Sequence, residues 1–209
     1  MKLKVCGVRN MAMVQACQDA MVDYIGFNFV PTSARVVDLE IAQNLSHAFT
    51  GKKVGVFMDQ SVATILETIS VVDLDIIQLH GNESPEFIAS LKKSIPQLSI
   101  WKAFSMDQKF EKSILQHYSK KCDKFLFDGK KPGSGAQIVN SNLLSEVIKE
   151  AKKIGVTCGL AGGVNANSIP QLLTNHGSVV FFDTASGVET NGKFKRENLT
   201  QICSLLQHA

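Results

Sequence analysis

A thiol and a carboxyl close two separate apolar runs, Cys6 in Val5-Cys6-Gly7 and Asp128 in Phe127-Asp128-Gly129. A thiolate takes a proton from carbon when a positive neighbour favours its ionised form. A carboxyl flanked by Phe125, Leu126 and Phe127 is pushed towards its neutral form and becomes a proton donor. Each also has a plainer reading: most cysteines are small buried hydrophobes, and Asp-Gly is a common turn pair. Placed on two flanks of one substrate, the two groups supply what isomerisation of a sugar phosphate requires. One removes a proton from carbon and the other delivers one to oxygen.

Further polar groups stand at comparable points. Arg35, in Pro31-Thr32-Ser33-Ala34-Arg35, carries a planar fork suited to a carboxylate or phosphate; a solvated loop arginine is the alternative. Gln78-Leu79-His80-Gly81 offers a polar pair, although a lone histidine there is more often structural. Lys102 lies inside an apolar run, where an ammonium must be paired or face a wet cavity. Three glycine-bearing turns follow the later runs: Pro132-Gly133-Ser134-Gly135, Leu160-Ala161-Gly162-Gly163, and Phe182-Asp183-Thr184-Ala185-Ser186-Gly187. The backbone N–H groups of such turns cradle phosphate. One Gly-x-Gly is weak; three glycine turns in succession carry more.

Bringing segments so far apart to one place requires a regular frame. Apolar or β-branched runs recur at intervals of roughly 20–30 residues, as alternating strands and helices do. They occupy 3–8, 24–29, 53–58, 75–79, 100–104, 124–127, 157–161 and 179–182. Nearly all are apolar at consecutive positions, which predicts burial on both faces and a parallel sheet. Between them, Val62, Ile65, Leu66 and Ile69 form one helical face, Leu143, Leu144, Val147, Ile148 and Ala151 a second, and Leu199, Ile202, Cys203 and Leu206 a third. Ser84-Pro85 reads as an N-cap with proline at the first helical position, whereas 11–21 is apolar nearly throughout. Eight such units predict an α/β chain folded as a single (β/α)8 TIM barrel over 1–209. Its chemistry would lie at the strand ends and its phosphate site in the last two loops. An open doubly wound sheet is the alternative that periodicity alone does not exclude.

A chain of 209 residues, 44% hydrophobic and 20% charged, holds one sizeable core. A net charge of +3 is too small to argue for a nucleic-acid partner. Cys6, Cys17, Cys122, Cys158 and Cys203 are scattered and form no Cys-x-x-Cys pair, so they read as reduced thiols rather than a disulfide frame or metal site. No run approaches the ~18 apolar residues of a membrane span. The expected setting is cytoplasmic, with no membrane or nucleic-acid partner.

The motifs together resemble the phosphoribosylanthranilate isomerase family of tryptophan biosynthesis. Lys4-Val5-Cys6-Gly7-Val8, Ile25-Gly26-Phe27-Asn28-Phe29, Val54-Gly55-Val56-Phe57, Gln78-Leu79-His80-Gly81, Lys102-Ala103-Phe104, Leu126-Phe127-Asp128, Leu160-Ala161-Gly162-Gly163 and Asp183-Thr184-Ala185-Ser186-Gly187-Val188-Glu189 carry the likeness nearly end to end. The resemblance implies a (β/α)8 barrel and an Amadori rearrangement of N-(5'-phosphoribosyl)anthranilate, without cofactor or metal. It assigns Asp128 as general acid, Cys6 as general base and Arg35 to the anthranilate carboxylate. His80 and Asp183 would line the cavity. Gly133, Ser134, Gly135, Gly162, Gly163, Ser186 and Gly187 would bind the phosphate of a small phosphorylated sugar–anthranilate partner, in a monomer or homodimer. Four departures stand out: Ala34 where the family has proline, Pro132 at the start of its glycine loop, Ile138-Val139-Asn140 for Phe-Asp-Trp, and Ala185 for a serine. Ala34 is expected to loosen the loop that aims Arg35. The alternatives are a paralogous isomerase of another aminated ribose phosphate and a catalytically silent sugar-phosphate-binding protein.

Overall fold

The doubly apolar runs become strands covered on both sides. The computed structural model describes residues 1–106, 110–129 and 141–207. In it β1 (Lys2–Cys6), β2 (Tyr24–Asn28), β3 (Lys52–Phe57), β4 (Ile76–Leu79), β5 (Ser99–Ser105), β6 (Lys124–Asp128), β7 (Thr157–Ala161) and β8 (Phe181–Thr184) form a closed barrel. Each strand is parallel to the next, and β8 pairs in parallel with β1. The open-sheet alternative is thereby excluded. Around the strands run α1 (Met11–Asp19), α2 (Leu39–His47), α3 (Val62–Val71), α4 (Pro85–Ser94), α5 (Leu115–Tyr118), α6 (Ser141–Lys153), α7 (Ile169–His176) and α8 (Arg196–Gln207). Local sequence sets several starts. Asn10, Ser61 and Ser84 accept hydrogen bonds from Met13, Thr64 and Phe87 N–H, and Pro85 opens α4 as expected.

Alternation along each strand sorts the core into two layers. Val5, Ile25, Phe27, Ile77, Phe125, Phe127 and Phe182 belong to the layer shared with the helices. Tyr24, Val54, Ile76, Trp101, Leu126 and Phe181 fill the barrel interior. There the rings of Trp101 and Phe181 approach to 4.7 Å and those of Tyr24 and Trp101 to 5.2 Å. Gly159 makes room for them, since a Cβ at that position would lie 2.2 Å from the Phe181 ring.

The first and last strands depart from the sequence reading by two residues, the others by at most one. The first strand stops at Cys6 because Gly7 takes φ +80°, a left-handed turn conformation. The last one runs on through Asp183 and Thr184, which the sequence places in the turn. Asp183 stays in register opposite Lys4, where the two side chains form an ion pair that rewards continued pairing. A hairpin that the sequence reading does not anticipate, β9 (Glu189–Thr190) with β10 (Lys193–Phe194), follows a 3₁₀ turn at Ser186–Val188. No helix among the described residues is long and apolar enough to cross a membrane.

Candidate active site

At the C-terminal rim of the barrel a cavity of about 210 Å³ is lined by Cys6, Asn28, Arg35, Val56, Gln78, His80, Asp128, Ala161, Gly162, Gly163, Val164, Asp183, Ala185 and Ser186. Strands one to four and six to eight all contribute, so residues as distant in sequence as Cys6 and Ser186 meet. Gly187 stands just behind the wall, where a Cβ would fall 2.0 Å from the Val164 carbonyl oxygen. Gly133, Ser134 and Gly135 lie outside the described residues. A wider cleft of about 830 Å³ adjoins at His80, but its lining contains neither Cys6 nor Asp128.

Cys6 stands over a buried charge pair. Lys4, two residues earlier, projects from the same face of β1 and donates to Asp183 Oδ2 at 2.8 Å, with the two side chains 0% and 6% exposed. A Cβ on Gly26 would reach within 3.1 Å of Cys6 Sγ and 3.2 Å of Lys4 Cε, so this glycine leaves space for both. Burial works against the Lys4 ammonium, but Asp183 and Cys6 outweigh it and hold its pKa above the ordinary lysine value. Burial also pushes the Cys6 thiol up; Lys4 and, more weakly, Arg35 oppose that rise without cancelling it. Lys4 is the positive neighbour that sequence reasoning could not place. Its signal was a lysine in the middle of an apolar strand.

Across the cavity, His80 Nε2 lies 3.5 Å from Asp128 Oδ2. The Gln78 amide nitrogen sits 3.2 Å from His80 Nδ1. Gln78 is buried and holds the imidazole through Nδ1, so that Nε2 is the ring atom that faces Asp128.

Arg35 reaches the cavity from the β2–α2 loop. The hydroxyl of Ser33 accepts from the Arg35 N–H at 3.1 Å and from Asn28 Nδ2 at 3.0 Å. These bonds hold the loop that carries Ala34. The Arg35 guanidinium also forks onto Glu189, with Nε to Oε1 at 3.0 Å and Nη2 to Oε2 at 2.5 Å. Glu189 was noted in the sequence only as the end of a motif, because nothing local signals a partner 154 residues away.

Lys102 is paired, the first of its two sequence alternatives. Its ammonium meets Glu83 Oε2 at 3.1 Å and the Gly81 carbonyl at 2.7 Å, and both charged side chains are almost fully buried. Among the described residues no group of three His, Cys, Asp or Glu is arranged to hold a metal ion. In the loop after β7, Gly162 and Gly163 take φ +85° and +78°. Their loop is anchored by Asn165 Nδ2 and Ser168 Oγ, which donate to the Gly163 carbonyl at 2.9 and 2.8 Å. Thr184 Oγ1 donates to the Val164 carbonyl at 2.7 Å, joining this loop to the end of β8.

The family model for N-(5'-phosphoribosyl)anthranilate (PRA) isomerase matches residues 3–207. The chain is 33% identical over 205 residues to the N-(5'-phosphoribosyl)anthranilate isomerase of Bacillus subtilis, covering 96% of this chain and 92% of that one. Its fold is similar to the phosphoribosyl anthranilate isomerase of Thermus thermophilus, with a TM-score of 0.83 and 26% identity over 100% of this chain and 99% of the other. A phosphoribosyl anthranilate isomerase in complex with reduced 1-(o-carboxyphenylamino)-1-deoxyribulose 5-phosphate superposes with a TM-score of 0.84 at 22% identity, each chain covered in full.

Proposed function

The chain belongs to the N-(5'-phosphoribosyl)anthranilate isomerase family, and we propose how its barrel mouth carries out the family's reaction. The reaction converts N-(5'-phosphoribosyl)anthranilate to a 1-deoxyribulose phosphate in tryptophan biosynthesis. The observation that carries the reading is that Cys6 and Asp128 share one cavity with Arg35 and the glycine loops.

Asp128 donates its proton to the ribose ring oxygen as the C1′–O bond breaks, and the nitrogen lone pair forms the C1′=N bond of a Schiff base. The carboxylate so produced faces His80, whose Nε2–H stabilises it. The Cys6 thiolate then removes the C2′ proton. Its electron pair becomes the C1′=C2′ bond while the imine electrons return to nitrogen, giving an enolamine. Loss of the O2′ proton and protonation of C1′ complete the aminoketose. Oxidation at C2′ balances reduction at C1′, so the electrons remain within the substrate. At one end the loops at Gly162, Gly163, Ser186 and Gly187 take the phosphate, with Gly133, Ser134 and Gly135 assigned to the same end. At the other, Arg35 takes the anthranilate carboxylate, and buried Asp183 presents its unpartnered Oδ1 to a sugar hydroxyl.

The test is the decay of anthranilate-conjugate fluorescence with substrate generated in place. Cys6→Ala and Asp128→Asn are each expected to lower kcat by about 10²–10⁴-fold while retaining affinity for a reduced product analogue. Near-normal turnover by either variant removes that residue from its role.

A further inference from the structure

We infer that Glu189 is a positioning residue that acts through Arg35 and makes the site select an aromatic amine bearing a carboxylate, with Arg9 supplying the charge that this selection needs. The inference rests on Arg35 as the carboxylate's partner.

Glu189 engages Arg35 side-on, through Nε and one N–H of Nη2. A guanidinium has five N–H groups. The two on Nη1 and the second on Nη2 remain, and they form an end-on fork able to take another carboxylate bidentately. Arg35 lines the cavity and Glu189 does not; the glutamate braces the guanidinium from behind without occupying substrate space. Gly7 completes the seat. With a side chain there, its Cβ would come within 2.5 Å of Arg35 Cδ, and its φ of +80° already excludes most residues.

A single arginine neutralised by a glutamate offers direction but little attraction. Arg9 changes that balance: its Nη1 lies 3.7 Å from Glu189 Oε1, and its Nη2 donates to the Gly192 carbonyl at 3.3 Å. Two guanidinium groups on one carboxylate leave one net positive charge for the ligand. Glu189 is itself held by pairing with Phe194 in β10, and its carbonyl accepts from Asn198 Nδ2 at 3.3 Å. The hairpin after the last barrel strand thus aims a side chain of the second loop.

Calorimetric affinities of two ligands test this: the reduced carboxyphenylamino deoxyribulose phosphate and its phenylamino counterpart without the carboxylate. The wild type is expected to prefer the carboxylated ligand. At high salt, where the extra positive charge left by Glu189→Gln is screened, the lost orientation of Arg35 should shrink that preference about tenfold and leave the other ligand's affinity unchanged. Arg9→Gln, at a half-buried position, should shrink it also, more strongly at low salt. Equal weakening of both ligands by Glu189→Gln would mean a merely structural role and overturn the inference. So would a wild-type preference that survives in both variants. Absence of any preference in the wild type would overturn the Arg35 assignment itself, and the inference with it.

Discussion

Lys4, Asp183 and Cys6 form a three-group problem in charge. With a thiol the set is neutral, and with a thiolate it carries one buried negative charge, which accounts for the raised Cys6 pKa. A base with a raised pKa is mostly protonated at neutral pH and becomes competent as pH rises. We therefore expect kcat/KM to climb on the alkaline side, along a limb displaced upwards from that of a free thiol. The titratable and charged groups around Cys6 are Lys4 on its own strand, Asp183 on β8 and Arg35 above, with His80 and Asp128 across the cavity. Lys4→Met removes the largest opposing influence. The limb, and the pH dependence of Cys6 alkylation, should both move to still higher pH. The same change strands a buried carboxylate at Asp183 and should cost about 3–5 kcal/mol of stability. An unmoved alkylation profile would show that Lys4 does not tune the thiol.

At the scale of elements, the N-terminal end of the barrel repeats one device. Asp23, just before β2, accepts from the Leu3 N–H at 2.9 Å; Asp75, before β4, accepts from Lys53 N–H at 2.9 Å; Asp123, before β6, accepts from Ile100 N–H at 2.7 Å. Each carboxylate ties the start of one strand to the next, giving a two-unit rhythm opposite the active-site rim. Residues at this end serve stability rather than chemistry. Alanine at Asp23, Asp75 or Asp123 should cost about 1–2 kcal/mol each in denaturant titrations and leave kcat unchanged. A kcat loss without a stability loss would contradict that division. Lys102 with Glu83 does comparable work near the other end, tying β5 to the β4–α4 loop.

For the whole molecule, closure depends on the interior being filled without strain. Phe181, Trp101 and Tyr24 occupy it because Gly159 gives way. Gly159→Ala places a methyl carbon inside the Phe181 ring's contact distance and should destabilise by about 1–3 kcal/mol, seen as a lower Tm. An unchanged Tm would mean the ring relocates freely.

Periodicity and turn residues made the eight units, their parallel order and the position of the catalytic rim legible, because doubly buried strands and glycine turns are written locally. The residue types of Cys6, Asp128, Arg35 and His80 marked them as candidates for the same reason. Asp183 was legible as a cavity residue but not as a strand residue, since its pairing with Lys4 joins opposite ends of the chain. By itself the sequence determined the eight strand–helix units, the family resemblance and the candidate acid and base, whereas closure into a barrel came with the pairing of β8 to β1. Only the tertiary structure decided that Lys4 stands beneath Cys6, that Gln78 packs on His80 and turns its Nε2 towards Asp128, and that Glu189 lies between Arg9 and Arg35. These depend on through-space distances across closed strands, where burial lowers the local dielectric and makes a few ångströms decide which charge prevails.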